Sequence, residues 1–319
     1  MKITRRRALG AALALTAPWA SAQSYPERPV RLVVPFPAGA ATDLAARVVG
    51  QQLQALLGQP FVVDNKPGAG GSIAGAEVVR AAPDGHTLLF SSNSAVASNV
   101  ALLKNIPYDP LKDFTPVAGI AETALALMVK PSFPARDLRE FIAYARAHPG
   151  KLSAGYGSSS SQVSISMLDK LAGIKTLAVP YKGIPLAVND VVGGTVDFTF
   201  VDLGNAMAQS KGGMLRAIGV TSERRNPLVP DWAPLADATP GYDITAWFAL
   251  VGPANLPRPV VDKLQAAVAR ALAQPETRDK LAGIGLTPMP MAPERLKAFM
   301  ASEVVKWKRL VAEAGIQPE

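Results

Sequence analysis

The hydrophobic positions along the chain alternate between two periods, and each change of period marks an element. Val30, Leu32, Val33 and Val34 form a short apolar run of β-formers closed by Pro35 and Pro37, which predicts a buried strand over residues 29–36. A loop of small residues, 38–43, follows. Leu44, Val48, Val49, Leu53, Leu56 and Leu57 then recur at helical spacing, and Gly58 ends the helix. Residues 61–63 predict a second strand, and the glycine-rich loop 65–72 leads into a small-residue helix through Val79. Asp84-Gly85 is a turn, and residues 87–90 are a third strand. This β-α-β-α-β order implies a parallel sheet with helices on its faces.

A second round begins near residue 123. Residues 125–129 predict a strand, and Leu138, Phe141 and Ala145 a helix ended by Pro149-Gly150. A strand at 152–155, a loop at 156–161 and a helix to Leu171 come next. Strands follow at 178–179, 196–201 and 215–220, with a helix at 186–192. A proline-rich passage, 227–240, separates this part from residues 243–252. Three helices finish the chain. The last carries Leu296, Phe299, Met300, Val304, Trp307, Leu310 and Val311 on one stripe, which reads as a docking face. No internal repeat stands out. The pattern predicts two α/β lobes with a cleft between them, residues 23–123 plus 247–319 in lobe 1 and 124–246 in lobe 2.

The N-terminus is excluded from this fold. Lys2, Arg5, Arg6 and Arg7 precede an apolar stretch at 8–17, and Ala20-Ser21-Ala22 is an A-x-A cleavage site, so residues 1–22 read as a cleaved export signal. The route is Sec or, given Thr4-Arg5-Arg6 and Leu9, twin-arginine. Either route leads out of the cytoplasm, and for a Gram-negative-style signal to the periplasm. The signal holds four of the 33 basic residues, so the formal charge of +8 falls to +4 without it. No dense basic run remains, which argues against nucleic acid as a partner.

Catalysis has few candidates. The absence of cysteine excludes a thiol nucleophile, a thiolate metal site and a lipoprotein anchor. Of the two histidines, His86 follows a turn and His148 a helix end, and both read as surface or capping residues. The run Gly157-Ser158-Ser159-Ser160-Ser161 lacks the G-x-S-x-G elbow. Gly68-Ala69-Gly70-Gly71-Ser72-Ile73 misses the last glycine of a dinucleotide fingerprint. The acidic residues are scattered, so neither a metal nor any cofactor is expected.

Ligand binding is better supported. Small-residue loops at 38–43, 65–72 and 157–162 each join a strand to a helix, where backbone N–H groups and the helix dipole favour an anion. Glycine, serine and threonine also serve as turn and cap residues, but four hydroxyls at Ser158, Ser159, Ser160 and Ser161 exceed what capping requires.

A run of further motifs is similar to the Bug family, the TctC-like receptors of tripartite tricarboxylate transporters. It starts with Tyr25-Pro26-Glu27-Arg28-Pro29-Val30-Arg31-Leu32-Val33-Val34-Pro35-Phe36-Pro37-Ala38-Gly39. Val63-Asp64-Asn65-Lys66-Pro67-Gly68-Ala69-Gly70-Gly71, Pro83-Asp84-Gly85-His86-Thr87-Leu88-Leu89 and Val179-Pro180-Tyr181-Lys182-Gly183 follow in order. The resemblance implies an α/β, two-lobe periplasmic-binding-protein fold of type II, each lobe a mixed, mainly parallel sheet flanked by helices. It implies no catalysis, a monomer, and transporter subunits in the membrane as partners. The ligand it implies is a small organic acid: a dicarboxylate, an aromatic carboxylate or an amino acid. By the same resemblance Phe36, Ala38, Gly39, Thr42 and Asp43 shape one wall, with Thr42 and Asp43 alternatively capping the helix. Ser92 and Asn93 border the cleft, and Gly157, Ser158, Ser159, Ser160, Ser161 and Gln162 bind from the second lobe. Asp202 meets an ammonium or hydroxyl group, or is a structural cap. Trp247 and Phe248 line the pocket or pack in the core. The first loop departs from the usual P-P-G-G, reading Pro37-Ala38-Gly39-Ala40, so ligand identity stays open. Two other functions stay open as well: a sensory or adaptor protein binding the same ligands, and a periplasmic serine hydrolase.

Overall fold

The computed structural model describes residues 25–318, so the export signal lies outside the described residues. The first unit runs β1 (Val30–Val34), α1 (Ala41–Leu57), β2 (Phe61–Asn65), α2 (Ser72–Val79) and β3 (Thr87–Ser92). A π-helical turn, Ser94–Ser98, continues into the short α3 (Asn99–Leu102). The chain then forms β4 (Phe114–Val129) and α4 (Leu138–Ala147). The second unit is β5 (Ser153–Tyr156), α5 (Ser159–Ala172), β6 (Leu177–Pro180), α6 (Ile184–Gly193) and β7 (Phe198–Asp202). It is followed by α7 (Leu203–Lys211), β8 (Arg216–Val220) and β9 (Thr245–Pro253). The tail is α8 (Arg258–Ala273), α9 (Pro275–Gly283), β10 (Thr287–Met291) and α10 (Pro293–Glu313).

The strands form a two-lobe α/β fold with the order β2-β1-β3-β9-β4-β7-β5-β6, and β8 and β10 also pair with β4. Each lobe has a parallel triad, β2-β1-β3 in one and β6-β5-β7 in the other. Both triads place the first strand of the unit in the middle, so the two lobes repeat one topology. The sequence hides that repeat, because two sheets can share a winding order without sharing side chains. The triads are joined through antiparallel pairing to β9 and β4, which makes each lobe's sheet mixed.

Strand β4 is the spine. Its residues 114–124 pair with β9, and then Leu125 to Val129 pair with β7 while Ala126 to Val129 pair with β8. The pattern predicted only residues 125–129, because Thr115, Pro116, Gly119 and Glu122 interrupt the apolar run. The structure accommodates them with register shifts between Pro116 and Ala118 and between Gly119 and Ala121. A proline is tolerated at such a bulge, where a ladder hydrogen bond is already missing. Strand β10 was missed for a related reason: Pro288 and Pro290 read as breakers, but β10 pairs only with β4, as an edge strand. Helix α7 was missed as well.

The tail docks as its stripe predicts. Leu296, Met300, Val304, Trp307, Leu310 and Val311 are buried on α10. One buried carboxylate anchors it: Glu303 Oε2 accepts from Trp247 Nε1 at 2.7 Å and from Trp307 Nε1 at 3.0 Å. Trp247 is thus a core residue.

Candidate functional site

The cleft between the lobes is built around the start of α1. Pro35 and Pro37 end β1, and Gly39 turns the chain in the left-handed region at φ +83°, where a side chain would be strained. Ala40 N–H donates to the Pro37 carbonyl at 3.2 Å, and the first intrahelical bond runs from Leu44 N–H to the Ala40 carbonyl at 3.0 Å. The cap residue is Ala40, which has no side-chain acceptor. The N–H groups of Ala41, Thr42 and Asp43 therefore have no partner among the described residues, although all three residues are buried. A buried helix start without acceptors is a ready anion site.

The neighbouring side chains stiffen this terminus. Asp43 Oδ2 accepts from Gly39 N–H at 3.0 Å and from Arg47 Nε at 3.1 Å, and Asp43 Oδ1 accepts from Asn65 Nδ2 at 3.0 Å. Asn65 Nδ2 also donates to the Phe36 carbonyl at 2.9 Å. Burial raises the Asp43 carboxyl, but the hydrogen bonds from Arg47, Gly39 and Asn65 and the Arg47 charge outweigh it and hold it below its ordinary value. Asp43 braces the loop and does not line the cleft.

Phe36, Ala40, Ala41, Thr42, Ser92 and Asn93 line one side of the cleft, and Gly157, Ser158, Ser160, Ile184 and Asp202 the other, around about 460 Å³ of empty space. Thr123, Leu125, Ala246 and Phe248 close it where the chain crosses between lobes. Of the residues singled out from sequence, Ala38 is exposed and Ala38, Gly39, Asp43 and Ser161 stay off the lining. Ser159 and Gln162 line an adjoining cavity with Asn99, Tyr181 and Lys182. Ala40, Ala41, Thr123, Leu125, Ile184 and Ala246 also line the cleft and were not singled out as site residues. The signal that points to Ala40 and Ala41 is a helix start lacking Ser, Thr, Asn or Asp at the cap.

The four serines divide their work. Ser158 caps α5 and forms a reciprocal box with Ser161: Ser161 N–H donates to Ser158 Oγ at 3.2 Å and Ser158 N–H to Ser161 Oγ at 3.1 Å. The other two reach across to the first lobe. Ser159 Oγ lies 2.7 Å from Ser94 Oγ and accepts from Ser98 Oγ at 2.6 Å. Ser160 Oγ accepts from Asn93 Nδ2 at 3.2 Å. The hydroxyls beyond the capping requirement hold the lobes against each other.

Asp202 both caps and faces the cleft. It accepts from Asn205 N–H at 3.1 Å as the cap of α7, and it lines the cavity while 8% exposed. Burial pushes its carboxyl above the ordinary range, against the lowering effect of the Asn205 hydrogen bonds.

Neither histidine reaches the cleft. His86 is buried, contrary to its surface reading, and packs edge-on against Tyr25 at 5.2 Å. The capping there is done by Asp84, which accepts from His86 N–H at 2.9 Å. His148 is exposed at the end of α4. Among the described residues no cluster of His, Asp and Glu could hold a metal ion, and no helix is long and apolar enough to cross a membrane.

Comparison with known proteins agrees with this architecture. The chain is 36% identical over 320 residues to the UPF0065 protein of the tcbD-tcbE intergenic region of Pseudomonas sp. strain P51, covering 98% of this chain and 95% of that one. It is 35% identical over 303 residues to protein BugT of Bordetella pertussis, covering 92% of each. Among solved structures, R. palustris Rpa4515 with adipate superimposes with a TM-score of 0.90 at 32% identity, covering 92% of this chain and 100% of that one. MatC from Rhodopseudomonas palustris with bound malate gives a TM-score of 0.84 at 36% identity, covering 90% and 100%. The profile described as "Tripartite tricarboxylate transporter family receptor" matches residues 45–316. The chain therefore belongs to the TctC family, whose members are solute-binding proteins and not enzymes.

Proposed function

We propose that this protein is a periplasmic receptor that binds a small carboxylate-bearing metabolite between its lobes and delivers it to membrane subunits of a tripartite tricarboxylate-type transporter. The observation that carries the reading is the α1 terminus: the N–H groups of the buried residues Ala41 and Thr42, unpaired among the described residues, at positions that line the cleft. Leaving such donors buried without acceptors is costly, and a ligand carboxylate supplies the acceptors. Family membership and the adipate and malate held by two relatives support the ligand class. Thr42, Ser92, Asn93, Gly157, Ser158, Ser160 and Asp202 complete the proposed binding wall. Lobe 1 takes residues 23–123 plus 247–319 and lobe 2 takes 124–246. The exchange of β4 partners after Ala124 supports a hinge there.

A thermal-shift screen of the mature protein against mono- and dicarboxylates tests the binding reading. A ligand that binds only the folded state stabilises it by about 2.7 kcal/mol at a hundredfold excess over Kd. A panel without one carboxylate hit would refute it. Loss of uptake of the same acid in a deletion strain tests delivery.

A further inference from the structure

We propose that the ligand site continues past the cleft into the adjoining cavity, and that Lys182 receives there a second anionic group at the far end of the acid. The inference rests on the carboxylate-receptor reading and names the acids that site serves: those carrying a second negative charge away from the first carboxylate.

The shape of the cavity supports this first. It holds about 910 Å³ of empty space, against about 460 Å³ in the cleft. Its walls come from both lobes, with Gly70, Asn99 and Leu103 on one side and Gln162, Tyr181 and Lys182 on the other. A ligand that enters it therefore touches both lobes, as one in the cleft does. Gly157 and Ser158 line both spaces, so the two meet at that turn. Gly157 packs against a second turn of the same lobe: a Cβ on it would lie 2.2 Å from the Gly183 carbonyl carbon. Lys182 directly precedes Gly183, which sets its backbone beside the junction.

Charge decides which group goes where. No lysine, arginine or histidine lines the cleft. A first carboxylate takes the α1 N–H groups, and a second one left in the cleft finds no cation there. The cavity has one, because Lys182 is the charged residue of its lining. The ion pairs among the described residues all join other side chains. Asn99, Tyr181 and Ser159 are engaged elsewhere. Asn99 Nδ2 donates to the Gly70 carbonyl at 3.1 Å and the Tyr181 hydroxyl to Asp190 Oδ2 at 2.6 Å, while Ser159 Oγ meets Ser94 and Ser98. Lys182 thus brings an uncommitted positive charge to the cavity. The apolar side chains of Leu102, Leu103 and Pro180 suit the hydrocarbon that joins two acidic groups.

Isothermal titration calorimetry with matched acids tests this, at low ionic strength, where an exposed pair is least screened. Each set keeps one skeleton and ends it in a methyl, a carboxylate or an amine: butyrate, succinate and γ-aminobutyrate; hexanoate, adipate and ε-aminocaproate; octanoate, suberate and ω-amino-octanoate. In the set whose length fits, the diacid should bind wild type about fivefold or more tightly than the monoacid, the scale of an ion pair at the edge of solvent. The amine-ended member should bind most weakly. Lys182→Gln should remove the advantage of the diacid. Lys182→Glu should reverse the order of the diacid and the amine-ended member, which a mere change of packing would not do. Lys182 is exposed, so both variants should melt near wild type. A diacid no tighter than its monoacid in every set, an advantage intact in K182Q, or a loss shared equally by the monoacid overturns the role of Lys182 and leaves the carboxylate reading standing. So does binding of another acid from the wider screen when no member of these sets binds. If no acid binds at all, the carboxylate reading falls and the second site falls with it.

Discussion

Replacing Ala41 by proline removes one backbone N–H from the cleft and changes little else. Ala41 is the first residue of α1, where proline is favoured because its fixed φ suits the helix and the N–H has no intrahelical partner. The preceding residue, Ala40, already sits at φ −69° and ψ 153°, the extended conformation that a following proline requires. The unliganded fold should therefore melt within a degree or so of wild type, or slightly higher, by the usual gain from a compatible proline. Binding should suffer. A hydrogen bond from an amide to a carboxylate is worth about 1.5–3 kcal/mol. That corresponds to a Kd weakened by about 10- to 100-fold. Calorimetry with an acid found in the screen reads the Kd, and a thermal melt without ligand reads the fold. Unchanged affinity in a normally folded A41P protein would refute the assignment of the acid to the α1 terminus.

Three further perturbations test the closure, the tail and the brace. A Cβ on Gly183 would lie 2.6 Å from Pro37 Cδ and Cγ across the cleft, while the φ of 176° suits any residue; Gly183→Ala should leave stability intact, open the lobes in small-angle scattering and weaken binding, and an unchanged scattering profile would count against lobe contact there. Glu303→Leu leaves the Trp247 and Trp307 indole N–H groups buried without their acceptor, at about 1–3 kcal/mol for each; the urea midpoint should fall, and an unchanged midpoint would show that the anchor contributes nothing. The folded Asp43 carboxyl titrates below its unfolded value, so its stabilisation is complete above the unfolded pKa and is lost as pH falls through the folded one. Asp43→Asn should flatten that acid-side loss in urea melts across pH, and an acid limb identical to wild type would remove Asp43 as its source.

The parts legible in the sequence are those fixed by neighbours along the chain. The α1 stripe ends at Gly58, which adopts φ +79° and donates its N–H to the Gln54 carbonyl at 2.9 Å. Ser158 was readable as a helix-start residue, because capping is a contact over three positions. The loops that meet at the cleft were readable too, since strand–loop–helix joints collect at the carboxyl ends of parallel strands. Strand β10 and the first half of β4 were not readable. Their prolines and glycines violate local strand rules that edge position and bulges relax.

The sequence by itself determined the alternation of strand and helix, the apolar stripe of α10 and the candidate loops, because periodicity and turn chemistry act over a few residues. Tertiary structure alone decided which candidates face the cleft. It turned Asp43 into a brace and left the uncapped N–H groups of Ala41 and Thr42 on the lining. It sent Ser159 to Ser94 and Ser98 some sixty positions away, and it brought Asn205 to Gly39. Those contacts depend on how two sheets share β4 and pack across a cleft, and no local pattern encodes that distance.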